Sequence, residues 1–387
     1  MFSNNVSIQN DPTYRTWAEI DLSALKANLD YAKRISGKPV ICVIKADAYG
    51  HGAVACGKFL QENGAAMFAV ACIEEALELR ESGITLPILI LGYTPAKFAK
   101  ELSENDIEQA VVDVSHAEEL NEEASKAGVT VKVHIKLDTG MGRCGLYAQG
   151  HVAGEDVVKK AIDDAEYIYR LANLDAVGMF THFAVADTPA EDAYTEAQYK
   201  NYTAVRNGLI ERGINIKKCH VSNSAAIMAH PEVHFDYVRE GIMLYGMYPD
   251  STPTEGELQP VMTLKSRVAQ VRALPKGTTI SYGRTFKTER DMLSAVVTVG
   301  YADGYPRRLS NQAIFTINGK EYKQVGRVCM DMCMCDVTGG DVKRGDEVVL
   351  WGKGGMNIEV VSQIVGTINY ELTCDVTRRA HRIYING

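Results

Sequence analysis

The chain has 387 residues, 46% of them hydrophobic and 23% charged, a balance that describes an ordinary globular protein and excludes a disordered or fibrous one. The net charge of -8 argues against a nucleic-acid surface. No apolar run reaches the ~18 residues of a membrane helix, and the opening MFSNNVSIQNDPTYRTWAEI lacks the basic and apolar regions of a secretory signal. A cytoplasmic protein with no nucleic acid and no membrane is therefore expected, and a small-molecule enzyme remains open.

Taken in chain order, residues 14–21 alternate like a strand. From about residue 38 to 242, short apolar runs alternate with amphipathic helical stretches. Strands are predicted at 39–44, 67–71, 87–91, 109–112, 129–137, 176–181, 217–221 and 238–244. Between them lie helical segments such as EEALELRES, AKFAKELSE and SHAEELNEEASKAG, the last with Ser115 as N-cap and Gly128 just past its end. Eight such units in ~240 residues predict an α/β fold, a (β/α)8 TIM barrel. At STPTEGELQP the composition turns to linker residues. The remainder, dense in Val, Thr and Ile with turns at PKG, NGK and GKGG, predicts a mostly β C-terminal domain. The expected division is 12–250 for the barrel and 253–387 for the β domain, with 14–21 a candidate strand for the sheet of the latter.

The nine cysteines are an odd set without paired spacing, as reduced thiols would be. Cys329, Cys333 and Cys335 approximate zinc spacing only loosely and have no second Cys or His pair nearby. Apolar packing is expected there, and no metal.

In GKPVICVIKADAYGHG an apolar strand stops at Lys45 and runs into a Gly-rich turn with Tyr49 and His51. This places an ammonium at the C-terminal mouth of the first barrel strand, where barrel active sites are built. A lysine that merely snorkels from a strand end is the plainer alternative. Ser222, Asn223 and Ser224 follow the seventh strand and open a helix, while Gly241 and Ile242 sit at the eighth. The group reads either as an N-cap cluster or as a phosphate cradle. Lys132, His134 and Lys136 share the polar side of one strand, and an interior lysine must be neutralised or paired. His182 closes another strand, and Arg239 sits within the last.

VIKADAYGHG resembles the pyridoxal 5'-phosphate (PLP) attachment motif of alanine racemases, and the resemblance extends over residues 12–385. It implies a PLP-dependent isomerase that interconverts L- and D-alanine and supplies D-alanine for peptidoglycan. Lys45 would carry the cofactor and act as one base, with Tyr282 in TTISYGRTF as the other. The resemblance further implies that Tyr49, Asn223, Ser224, Gly241, Ile242 and Tyr370 hold PLP, and that Arg239 faces its ring nitrogen. His182 would stack on the ring, and Arg143 would meet the substrate carboxylate, with Lys136 carbamylated to orient it. Met330 and Asp331 in GRVCMDM would lie beside the substrate and Tyr301 on the access route. It also implies a homodimer in which each site takes Lys45 from one chain and Tyr282 from the other. Two bases on opposite faces suit racemisation, because a single base returns the proton to the side it left. The alternatives are a racemase of serine or a basic amino acid, a PLP-dependent decarboxylase, a non-catalytic PLP carrier and a metal-dependent barrel hydrolase. A decarboxylase pairs the ring nitrogen with an acid, where this chain has Arg239.

Overall fold

The computed structural model describes residues 14–250 and 256–387. The first residues of the expected barrel domain and half of the STPTEGELQP linker lie outside them. The described chain forms two compact units. One comprises Lys26–Ala48 and Ala53–Leu244; the other gathers the chain up to Leu25, Tyr49–Gly52 and Tyr245–Gly387.

After β1 (Thr16–Asp21), the first unit is built on β2 (Val40–Val43), β3 (Met67–Val70), β4 (Ile88–Ile90), β5 (Ile107–Val111) and β6 (Val131–Asp138). A short β7 (Leu146–Tyr147) pairs only with β6, and β8 (Leu174–Phe180), β9 (Lys218–His220) and β10 (Val238–Glu240) complete the set. The parallel order is β10-β2-β3-β4-β5-β6-β8-β9. The end strands meet where Arg239 N donates to the Ser222 carbonyl at 2.9 Å and Tyr237 N to the Cys219 carbonyl at 3.3 Å, so the sheet curls into a near-closed eight-stranded barrel with helices around it. β2, β3, β4 and β5 are buried at every residue, as strands covered on both faces must be. Burying each Val, Ile or Leu there contributes about 1.5–3 kcal/mol.

The helix Val114–Ala127 corrects one expectation. Its N-cap is Asp113, whose side chain accepts from His116 N at 2.7 Å, and not Ser115. The start moves because a carboxylate one residue before the helix satisfies the orphan amides better than a hydroxyl already inside it. Gly128 does cap the far end, with φ +69.

The second unit is built on β11 (Met262–Leu274), β12 (Thr279–Ile280), β13 (Phe286–Lys287), β14 (Met292–Val297), β15 (Ile314–Ile317), β16 (Lys320–Lys323), β17 (Cys333–Asp336), β18 (Glu347–Trp351) and β19 (His381–Ile385). Its main sheet runs β16-β15-β18-β11-β1-β19, with β14 bridging β11 and β17. β1 lies antiparallel to β11, Trp17 opposite Lys265, and parallel to β19, Trp17 opposite His381. The core of this unit holds Phe315 and the stacked pair Tyr305 and Trp351, with centroids 5.7 Å apart.

Glu240 on β10 is fully buried, and neither carboxyl oxygen has a hydrogen-bond partner among the described residues. Burial raises its pKa well above the carboxylate norm, Asp30 adds to this and Lys33 opposes it, so the native state keeps Glu240 protonated. The unfolded chain releases that proton above pH ~4.5, so the native state binds more protons and stability falls as pH rises toward the raised value, by about 1.4 kcal/mol per pH unit. Glu240→Gln should therefore flatten the alkaline side of the urea-unfolding profile and leave the acid side near wild type. Equal shifts at both ends would contradict a neutral Glu240.

Candidate active site

Within the barrel unit, the expected site residues emerge from the C-terminal ends of five strands. Lys45 follows β2, Arg143 follows β6 and His182 follows β8; Ser222, Asn223 and Ser224 follow β9, and Gly241 and Ile242 follow β10. This is the face on which barrel enzymes place their chemistry.

The loop carrying Lys45 is unusual in its backbone. Ala46, Asp47, Ala48 and Tyr49 all have φ between +52 and +54, a left-handed turn without a single glycine. Such a turn costs roughly 1–2 kcal/mol per residue, so the surroundings must hold it. Glu75 accepts from Ala46 N and from Ala71 N, both at 2.7 Å, and Asp47 accepts from Ala53 N at 2.7 Å.

Arg239 lies at the centre of the barrel mouth, 3% exposed. Its NH1 donates to the His220 carbonyl and to His220 Nδ1, both at 2.8 Å. Its NH2 reaches the carbonyls of Thr181 at 2.7 Å and Val221 at 2.9 Å, and His182 Nδ1 at 3.3 Å. The four terminal N–H groups are thereby engaged. Nε–H, the fifth donor of the guanidinium, has no partner among the described residues. Burial presses the Arg239 pKa down to about 10, and the cation survives at neutral pH. Phe180 lies beneath both Arg239 and Lys136, each 5.5 Å from the ring centroid.

His182 is held well below its ordinary pKa by burial, and then by the charges of Arg239, Arg143, Lys45 and Lys136. It is a neutral imidazole. Because Arg239 can only donate, His182 Nδ1 accepts and its proton sits on Nε2. Lys136 is buried, with Nζ 3.0 Å from Cys144 Sγ and 3.3 Å from the Leu91 carbonyl, and burial lowers its pKa. Arg143 is exposed on a turn that Asp138 secures by accepting from Gly140 N at 3.1 Å and Gly142 N at 3.0 Å.

After β9, Asn223 caps the short helix Ser224–Ala229 by accepting from Ala226 N at 3.0 Å. Ser224 Oγ accepts from Gly241 N at 2.9 Å, tying the two loops of the cradle together. Ser222 Oγ is buried and unpartnered among the described residues.

The other expected residues belong to the second unit. Tyr49 is buried against Tyr245 and Tyr370, with ring centroids 5.0 and 6.1 Å apart, and His51 stacks on Tyr245 at 4.5 Å. Tyr282 starts a single turn entered through Ser281 at φ +65, and its side chain is 69% exposed. Ser281 Oγ donates to the Arg327 carbonyl at 2.7 Å, and Ala302 N donates to the Met330 carbonyl at 3.0 Å. The loops bearing Tyr282, Tyr301 and Met330 are thereby joined, and all three side chains point outward. Asp331 pairs with Arg379 at 2.7 Å, while its carbonyl accepts from Arg15 at 2.6 Å.

Two family profiles match the chain: the alanine racemase N-terminal domain over residues 20–249 and the C-terminal domain over 261–384. The chain belongs to the alanine racemase family. The alanine racemase of Clostridium novyi is 44% identical over 379 residues, covering 96% of this chain and 95% of that protein. That of Methanococcus maripaludis is 43% identical over 378 residues, covering 96% and 98%. Among solved structures, the alanine racemase of Clostridium difficile 630 in complex with cycloserine matches with a TM-score of 0.87 and 39% identity, over 96% of each chain. The Bacillus anthracis alanine racemase with bound L-Ala-P matches with a TM-score of 0.84 and 35% identity, over 97% of this chain and 96% of that one.

In this alanine racemase homologue, Phe180 and His220 adjoin Arg239, and Glu108 lies farther along the barrel, yet none of the three stood out in a motif. Glu108 lies one residue before the strand expected at 109–112, which the structure begins at Ile107, and His220 closes the three-residue strand Lys218–His220. Only the inward alternation of β6, through His134 and Lys136, hinted at polar neighbours across the barrel.

Glu75→Ala should destabilise the protein by about 2 kcal/mol in urea unfolding, since two amides of the left-handed turn and its neighbour lose a charged acceptor. Glu75→Gln, which keeps an acceptor oxygen, should cost less. Identical losses would mean that something other than the carboxylate holds the turn.

Proposed function

We propose that this chain binds PLP at Lys45 and interconverts L- and D-alanine with two bases, Lys45 and Tyr282, in a homodimer whose sites are shared between subunits. Residues 12–250 would form the cofactor-holding domain, and 253–387 the domain that lends the second base. The observation carrying this reading is the buried Arg239 clamp, with one N–H left to donate. The donor set fits PLP in other respects too: a lysine at a strand end, a buried unpartnered hydroxyl at Ser222, and a cradle of Asn223, Ser224, Gly241 and Ile242 after the last two strands.

Bound PLP supplies an electron-withdrawing ring that acidifies the α-proton of the amino acid it carries. Arg239 would hold the ring nitrogen through its remaining N–H and, being unable to surrender its proton, would limit that withdrawal and favour prompt reprotonation over decarboxylation. The Lys45 amine takes or returns the α-proton on one face. The Tyr282 phenol does so on the other; its outward projection suits delivery to a partner subunit. His182 stacks as a neutral ring, and Arg143 pairs with the substrate carboxylate, flanked by Met330 and Asp331. Tyr49 and Tyr370 complete the phosphate end. Lys136, whose amine burial pushes toward the neutral form, is suited to carbamylation, and the resulting anion would orient Arg143. We place the reaction in the cytoplasm, in keeping with cysteines that form no disulfide among the described residues.

Single-enantiomer alanine incubated with the PLP-loaded protein should lose optical activity from either side, faster than serine, lysine or arginine. Lys45→Ala should lose the visible absorbance of the bound cofactor. Tyr282→Phe should keep the colour and lose exchange on one face only. Mixing these two variants should restore activity. A yellow protein that inverts nothing would sink the reading. Native mass spectrometry should show an added mass of one carbon dioxide that Lys136→Ala lacks; a wild type without the adduct would remove the carbamate.

A further inference from the structure

A chain of buried polar side chains crosses the barrel interior from Arg239 to the opposite end of the strands. Arg239 NH1 meets His220 Nδ1 at 2.8 Å, His220 Nε2 meets His134 Nδ1 at 2.9 Å, and His134 Nε2 meets Glu108 Oε2 at 2.6 Å. The other carboxylate oxygen of Glu108 pairs with Lys218. Both rings are fully buried, and the Glu108 side chain is 2% exposed. The fold makes room for this line: a Cβ on Gly178 of β8 would stand 2.2 Å from His134 Nδ1, so the ring lies directly against a strand that has no side chain there. Phe180 stacks on His220, with centroids 4.9 Å apart and planes 14° from parallel, and fixes the second ring.

The chemistry of each group sets the direction of every bond. Arg239 can only donate, so His220 Nδ1 accepts and its proton resides on Nε2. That proton is given to His134 Nδ1, which places the His134 proton on Nε2. His134 Nε2–H then donates to Glu108, which as a carboxylate can only accept. Burial would raise the Glu108 pKa, but hydrogen bonds from His134 and Lys218 and the charge of Lys218 outweigh it and hold it well below the usual carboxylate range. Burial keeps both histidines neutral. Three bonds therefore point the same way, from cation to anion, and bonds aligned in series polarise one another.

We propose that Glu108, held by Lys218 at the far end of the barrel, is a positioning residue for the reaction: it sets the tautomers of His134 and His220 and thereby fixes the Arg239 guanidinium in the orientation it presents to the cofactor. This rests on the reading of Arg239 given above. Glu108 touches neither substrate nor cofactor. Its effect is exerted through two imidazoles that can each carry their proton on either nitrogen.

The decisive substitution is Glu108→Gln. Lys218 can only donate, so the amide oxygen turns toward it and the amide NH2 toward His134 Nε2. His134 must then accept at Nε2 and donate from Nδ1, His220 follows, and an N–H of His220 opposes an N–H of Arg239. In the double variant Glu108→Gln with Lys218→Met, the amide oxygen is free to face His134, and the original direction returns. Long-range 15N–1H spectra of histidine-labelled protein, with and without PLP, should show both rings protonated at Nε2 in the wild type, at Nδ1 in Glu108→Gln, and at Nε2 again in the double variant. Turnover of alanine should fall about tenfold in Glu108→Gln with KM changed by no more than about twofold, and recover in the double variant.

The wild-type spectrum requires no variant: either ring protonated at Nδ1, or charged, overturns the proposal. So does a folded Glu108→Gln with unchanged tautomers or turnover, or a double variant that fails to recover. Lys218→Met alone keeps the carboxylate, so it should preserve both tautomers, and a flip there overturns the proposal as well. Failure of the cofactor reading looks different, because wild-type protein would then take up no PLP and invert no alanine whatever its histidine spectrum.

Discussion

A permanent cation sealed inside a barrel is the constraint to which the neighbouring structure answers. Arg239 cannot shed its charge at any working pH, and transferring it from water to an apolar interior would be prohibitive without compensation. The compensation comes chiefly from carbonyls at the ends of β8 and β9 and from two neutral imidazoles, with an aromatic face beneath. Among the described residues no carboxylate meets the guanidinium. The nearest anion in the hydrogen-bonded line is Glu108, two histidines away. A direct carboxylate would have satisfied the charge more simply, but its negative field would sit at the site itself. Two intervening rings balance the charge while keeping the anion distant.

The same logic orders the surrounding groups. With Arg239, Arg143, Lys45 and Lys136 gathered at one barrel mouth, His182 remains neutral, and burial drives the Lys136 amine toward its uncharged form. The electrostatics that complicate folding therefore also set the protonation states of groups at the barrel mouth.

The barrel and the loops at its mouth were legible because parallel strands covered on both faces leave continuous apolar runs, and because a lysine ending such a run interrupts the pattern. The run before Lys45 is the plainest instance. Residues on the second unit were much less legible. Nothing in period or composition separates Tyr282 from the other eighteen tyrosines of the chain; its position came from resemblance, and its exposure on a tight turn follows from a positive φ at Ser281 that no local rule anticipates in a serine. Glu108, His134 and His220 come from three strands far apart in sequence, so only the register of the barrel reveals them as one line. The move of a helix cap from Ser115 to Asp113 is a smaller case: both residue types cap well, and the backbone decides between them.

The placement of β1 bears on how the chain acquires its structure during synthesis. This strand precedes the whole barrel in sequence, yet its sheet partners, β11 and β19, both follow the barrel. Local βα pairings are able to form as they emerge, whereas the pairing of β1 with β19 must wait until the barrel and most of the second unit have been made. The first of the described strands is thus enclosed only after the barrel has been made, and until then its apolar face is available to chaperones or to a strand from another nascent chain.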